Sequence, residues 1–363
     1  MKQFQRFAFL DGMRGVAAIA VMWYHNAAIY GLFASEHIML AVDFFFCLSG
    51  FVIAHAYGER FRDGLTPLRF GLKRVIRLYP LILVGVALGA VVTWLGSATN
   101  DGWFLQQHYS TTDISIGALL CLCLLPAGLF MGKMFYFINS PLWSLFFEGA
   151  ANAVYALTKG RKLPPVTAIS AIVLLFGGLA GLAAALGGIT QFGLTTPTFF
   201  LSAFVRVAFS FLVGVLICQF ALYRRAPALS DTTIGLALVA MLLMPLFQRN
   251  WVYDMLSVAL IIPALVMLGT RARVGQLGHR VWGYLGRLSY PLYVLHMPVI
   301  KGVQHVWSIG LGEAPPMPVA FATGLVLSWI GADLALRLFD EPVRAYLTQV
   351  RKRVVASWQK APA

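Results

Sequence analysis

Near-continuous apolar stretches of about 17–25 residues recur along this chain, the length an α-helix needs to cross roughly 30 Å of hydrocarbon. Inside a bilayer every backbone N–H and C=O must find a partner within the protein, so spanning segments are helices or closed β-barrels. The polar–apolar alternation of a barrel strand is missing here. The fold class is therefore all-α integral membrane. Charge content agrees, because Asp, Glu, Lys and Arg make up 12% of the 363 residues, against about 25% in a soluble domain.

The runs predict about ten spans, near 12–31, 40–57, 78–96, 141–157, 165–188, 198–220, 231–247, 251–270, 287–309 and 316–338. The net charge of +14 is concentrated between them, in "GERFRDGLTPLRFGLKRVIR" (58–77), "KGRK" (159–162), "YRR" (223–225), "RARVGQLGHR" (271–280) and "RKR" (351–353). Loops 97–112, 189–197 and 310–315 hold no Lys or Arg. Cytoplasmic loops carry the basic excess, so ten spans with both termini cytoplasmic satisfy every basic segment. This distribution reads as topogenic and not as a surface for nucleic acid.

Residues 113–131, "DISIGALLCLCLLPAGLFM", are apolar enough for an eleventh span, but that count would put "KGRK" and the later basic loops outside. Segment 113–140 is therefore expected to re-enter or lie along the outer side, broken near Pro126; such backbone needs protein or a cavity around it. The opening "MKQFQRFAFLDGMRG" lacks a cleavable-leader pattern and is read as retained. The organisation predicted is one transmembrane domain over 1–346 and a short basic cytoplasmic tail over 347–363. Cys47, Cys121, Cys123 and Cys218 all sit in apolar runs, and their spacing indicates neither a disulfide framework nor a metal site.

Charged side chains cost about 2.5–3.5 kcal/mol at the bilayer centre on insertion scales, so the ionisable residues in the spans are the candidates for function: Arg14, His25, Asp43, Glu148, Arg206, Asp333 and Arg337. At about 1.5 Å per residue, His25 and Glu148 are both expected roughly 9–11 Å below the outer edge, with Asp43 shallower on the same side. A His and a Glu at one depth suit a general base and its orienting partner. Asp333 and Arg337 have the i,i+4 spacing of an ion pair, Asp11 and Arg14 share one helix end, and Arg206 has no partner nearby in sequence. Arg74 and Arg77, i,i+3 at the cytoplasmic mouth of the third span, point the same way; paired guanidiniums suit phosphate, and a basic cluster there also suits topology or anionic lipid.

Several stretches together resemble the membrane acyltransferase 3 family. "FLDGMRGVAAIAVMWYH" is similar to its first helix, with Asp11, Arg14 and His25; "AVDFFFCLSGFVI" (41–53) to its second, with Asp43 and Ser49; "LKRVIRLYPL" (72–81) to its paired-arginine segment. "INSPLWSLFFEGAANAVYAL" (138–157) resembles its Trp-Ser-Leu helix, "LGRLSYPLYVLHMPV" (285–299) its penultimate helix and "FDEPVRAYL" (339–347) its closing segment. One departure is Phe147 before Glu148, where the family often has two adjacent acidic residues.

The resemblance implies a ten-helix O-acyltransferase of the bacterial inner membrane, moving an acyl group, often acetyl, from acyl-CoA to an extracytoplasmic saccharide or lipid-linked glycan. It requires no permanently bound cofactor. Arg14, Arg74 and Arg77 become the expected ligands of the CoA phosphates. His25 becomes the catalytic base, Asp43 joins the catalytic set, and Glu148 either fixes the imidazole tautomer or holds the acceptor, while Trp143, Tyr293 and His296 are expected to pack or to hold the acceptor. Ser49 and Ser144 lie in family motifs, leaving direct transfer and an acyl-enzyme both open. A transporter of a lipid-linked sugar or small metabolite is the competing class, since buried ionisable groups suit that as well.

Overall fold

The computed structural model describes residues 7–29, 32, 34–98, 109–132, 134–190, 196–246, 250–311 and 316–360. Parts of the three loops without Lys or Arg, 99–108, 191–195 and 312–315, lie outside them. The described residues form helices and no β-sheet: α1 (Ala8–Ile29), α2 (Leu40–Arg62), α3 (Pro67–Ala98), α4 (Thr111–Leu122), α5 (Ala127–Met131), α6 (Leu142–Leu157), α7 (Pro165–Leu186) and α8 (Pro197–Gln219). After them come α9 (Asp231–Leu242), α10 (Asn250–Leu256), α11 (Ile262–Gly269), α12 (Gln276–Leu311), α13 (Met317–Ala335) and α14 (Glu341–Lys360).

Among the described residues six helical stretches are long and apolar enough to cross a membrane: Glu36–Arg62, Pro67–Ser97, Pro165–Leu186, Pro197–Gln219, Asn250–Gly269 and Met317–Arg353. α1 and α12 are long enough but carry too many polar groups, whereas α6 and α9 are short, at 16 and 12 residues. The segment expected to break near Pro126 does so. α4 is capped by Ser110 and ends at Leu122, a turn at 123–126 includes Leu124 at positive φ, and α5 restarts after Pro126. Twelve residues of α4 rise only about 18 Å.

Two of the apolar stretches contain a π turn, Ser257–Ile261 between α10 and α11 and Leu336–Asp340 between α13 and α14. Each lies just before a proline, Pro263 or Pro342. Proline has no N–H for the carbonyl four residues back and collides with it in a regular helix. Widening the turn relieves both: Ile262 N–H reaches the Ser257 carbonyl and Glu341 N–H the Leu336 carbonyl, five residues back. The last span predicted at 316–338 therefore continues as helix through α14.

Close crossings fix which helices share a direction. A Cβ on Gly50 would collide with the Phe211 carbonyl, and one on Gly214 with the Cys47 carbonyl. With Asp43 bonded to Arg206 and Ser210, these pairs ascend together, so α2 and α8 run parallel. Gly15 faces Leu285 and His25 faces His296, so α1 and α12 are parallel as well.

Candidate active site

α1 carries two polar groupings at opposite ends. At its start lies a vestibule of about 440 Å³ whose walls include Asp11, Arg14, Arg77, Arg287, Asp340 and Arg344. It shares Arg14, Arg77, Ser289 and Tyr290 with a narrow throat of about 40 Å³, which runs inward past Phe45, Arg74 and Glu148 to Ser144 and Tyr293. The i,i+3 spacing on α3 does aim Arg74 and Arg77 into one space. The rim is braced by Arg344 on Asp340 (3.0 Å) and Arg287 on Glu341 (3.5 Å).

Glu148 belongs to this inner grouping. Its Oε1 accepts from Arg74 Nη2 at 2.5 Å and from the Ser49 hydroxyl at 2.8 Å. Among the described residues no hydrogen bond holds Arg14 or Arg77, which line the same throat. The expected depth match between Glu148 and His25 is thereby overturned. The depth count took the start of the fourth span as the membrane edge, but residues 135–139 precede α6 as buried, non-helical chain. Asn139 there donates to the Val294 carbonyl at 2.9 Å, and Ser144 bonds the Tyr293 hydroxyl at 2.7 Å. α6 thus starts deep in the bundle, and Glu148, a turn further in, emerges among the arginines.

His25 finds a different partner. Eleven residues beyond Arg14, about 16 Å along the helix, its Nδ1 lies 2.8 Å from His296 Nε2, with the rings stacked at a 14° interplanar angle. His296 is buried, and its Nδ1 lies 2.9 Å from the Leu292 carbonyl oxygen. A carbonyl only accepts, so that Nδ1 carries a proton. With both rings neutral, His296 Nε2 is then a lone pair and accepts from His25 Nδ1–H. His25 Nε2 is left as the atom with a free lone pair, the form a general base requires.

The sequence alone points His296 to packing or acceptor binding; its contact with His25 emerges only in the folded chain. The available signal was an imidazole in an apolar run of a second helix; the pairing needed the parallel register of α1 and α12.

Asp43 is brought neither to the imidazoles nor to the vestibule. Fully buried, it takes Arg206 Nη2 on Oδ2 at 2.6 Å and Arg206 Nε and Ser210 Oγ on Oδ1 at 3.0 and 3.1 Å. Arg206 also donates to the Met39 and Ile189 carbonyls at 3.0 and 2.8 Å. The arginine without a partner near it in sequence is satisfied across 163 residues. Asp333 and Arg337 form the ion pair their spacing predicts, at 2.8 Å.

The acyltransferase 3 model, an acyltransferase domain, matches residues 7–333, and the chain belongs to that family. Its relatives include "Protein 2 in picA locus" of Rhizobium radiobacter, 38% identical over 185 residues that cover 47% of this chain and 94% of that protein. Acyltransferase MdmB of Streptomyces mycarofaciens is 27% identical over 363 residues, covering 91% and 88% of the two chains. No solved structure matches the chain. The protein is an acyltransferase.

Proposed function

We propose that this enzyme is a ten-span bacterial inner-membrane O-acyltransferase. It moves an acyl group, acetyl in the simplest case, from acyl-CoA to a hydroxyl of an extracytoplasmic saccharide or lipid-linked glycan, with His25 as general base. The observation that carries this reading is the approach of the inner grouping toward the imidazole pair. The arginine-lined vestibule narrows to a throat that ends at Tyr293, one helical turn before His296, the residue that holds His25. A donor that is a polyanion at one end and a thin arm at the other suits such a passage.

In this scheme Arg14 and Arg77, with Arg74 beside them, hold the CoA phosphates through charge-assisted bonds. The pantetheine arm follows the throat, displacing the Ser144–Tyr293 contact. The acceptor oxygen loses its proton to His25 Nε2 and attacks the thioester carbonyl. Collapse of the tetrahedral adduct expels the CoA sulfur, which takes that proton back from His25. The products are an ester and free CoA. His296 fixes the tautomer, and Glu148 is the counter-ion of the donor arginines.

The helix directions support the span count. α2 and α8 run parallel, as do α1 and α12, which fits ten crossings in which α4 and α5 add none; an eleventh would make both pairs antiparallel. The basic loops then face the cytoplasm with both termini.

Mass spectrometry of surface glycans tests the reading, using a strain that lacks the chain and is complemented with wild type or His25→Ala. Wild type restores the acyl increment lost on deletion, and His25→Ala falls short by about 10²–10⁴-fold, the contribution typical of a general base. Full restoration by His25→Ala would overturn it.

A further inference from the structure

Outside the catalytic path, two cavities meet on the opposite flank of α6. One is an apolar groove of about 640 Å³ between α6, α7 and α8, floored by the small side chains Ala150, Ala151 and Ala208. It extends along α6 from Phe147 to Thr158, eleven residues or about 16 Å. One leaflet of a bilayer offers about half of 30 Å, so the groove has the depth of a single leaflet. α7 leans on α8 and leaves the wedge open; only 11% of its most apolar stretch is buried.

The second cavity, about 340 Å³, begins where the groove ends, and the two share Tyr155, Arg161, Lys162 and Val215. Its walls carry Arg62, Arg161, Lys162 and Arg224 against one acid, Glu59. The loop that presents Arg161 and Lys162 is pinned. Gln219, the last residue of α8, takes the Leu163 N–H on Oε1 at 3.0 Å and donates Nε2 to the Leu163 carbonyl at 2.7 Å. Lys159 and Gly160 turn the chain there through two successive left-handed conformations. The backbone that bears Arg161 and Lys162 is therefore held at the groove's mouth.

We infer that one anionic phospholipid occupies this pair of cavities, its acyl chains along α6 and its headgroup phosphate between Arg161 and Lys162. Apolar depth alone would accept any lipid. The surplus of cations selects the negatively charged headgroup, as basic pockets beside membrane helices do. The site shares no residue with the arginine vestibule beyond His55, so lipid binding and acyl transfer are separable.

Native mass spectrometry of the detergent-solubilised full chain tests this, with palmitoyl-oleoyl phosphatidylglycerol and the matching phosphatidylcholine as probes. Phosphatidylglycerol is expected to stay bound at one per chain, at least about tenfold in preference to phosphatidylcholine. Arg161→Gln with Lys162→Gln is expected to abolish that preference, and the charge-conserving pair Arg161→Lys with Lys162→Arg to keep it. Ala151→Trp, which fills the groove and leaves the cations, is expected to lower retention of the bound lipid. Equal retention of the two lipids overturns the inference, as does loss of preference in the charge-conserving pair. So does displacement of phosphatidylglycerol by palmitoyl-CoA at concentrations where CoA alone has no effect, which would give the groove to a donor chain. His25→Ala should bind the lipid as wild type does, so failure here and failure of the catalytic reading are distinguishable.

Discussion

The vestibule and the imidazole pair are strung on the same helix about 16 Å apart, and they solve opposite problems. Around Arg14, Arg74 and Arg77, three guanidiniums face one throat with Glu148 as their near counter-ion, in a space wide enough at its mouth for a bulky ligand. Around His25 and His296, two rings stack, and with both neutral a single backbone carbonyl settles every proton position. In the proposed mechanism the charge left unsatisfied at one end binds the donor, and the lone pair left unsatisfied at the other takes the acceptor's proton. Affinity and chemistry should therefore be separable by mutation.

Substitution at the reacting end should cost most. Beyond His25→Ala, removing its partner in His296→Ala frees the His25 tautomer and is expected to lower kcat by about 10–100-fold, the scale seen for partners that orient metal-ligating imidazoles. The acyl-CoA KM should hold. His296→Gln, whose amide oxygen can accept from His25 Nδ1–H, should recover much of the loss; equal loss in both variants would mean that the tautomer is not what His296 controls.

Next comes the binding end. Arg77→Ala removes charge-assisted bonds worth about 1.5–3 kcal/mol, so the acyl-CoA KM should rise roughly tenfold or more while kcat changes little. Steady-state kinetics showing the reverse pattern would break the division.

The smallest effect is expected from Glu148→Gln. Losing the internal anion leaves the arginines to the donor, and the acyl-CoA KM should fall by about two- to threefold with kcat nearly constant. A large fall in kcat instead would restore Glu148 as partner of His25.

Much of the fold could be read from apolar runs because lipid imposes its length on helices, and the break after Leu122 announced itself through Pro126. Three of the helices bearing the site depart from a lipid-spanning length or composition: α1 with Asp11, Arg14 and His25, short α6 with Glu148, and α12 with His296; Arg74 and Arg77 sit at the basic start of α3, whose later part is apolar. Residue types were therefore legible while partnerships were not. Counting residues assumes that a helix starts at the membrane edge, and α6 starts inside, on the Asn139 and Ser144 contacts. Arg206 shows the same limit, since its carboxylate is on a helix 163 residues away. The Asp333–Arg337 pair was legible because both ends lie on one turn of one helix.

The π turn at Leu336–Asp340 makes part of the vestibule sensitive to chain length. A regular helix advances about 100° per residue, so one residue more or less in that turn would swing Arg344 around the axis and off the rim. Apart from Asp340, which braces Arg344, side chains along this stretch can change singly and leave Arg344 in place, but an insertion or deletion there would reassign every later residue to a new neighbour. Descendants of this chain should therefore drift in composition across 336–339 while holding the count of the turn fixed.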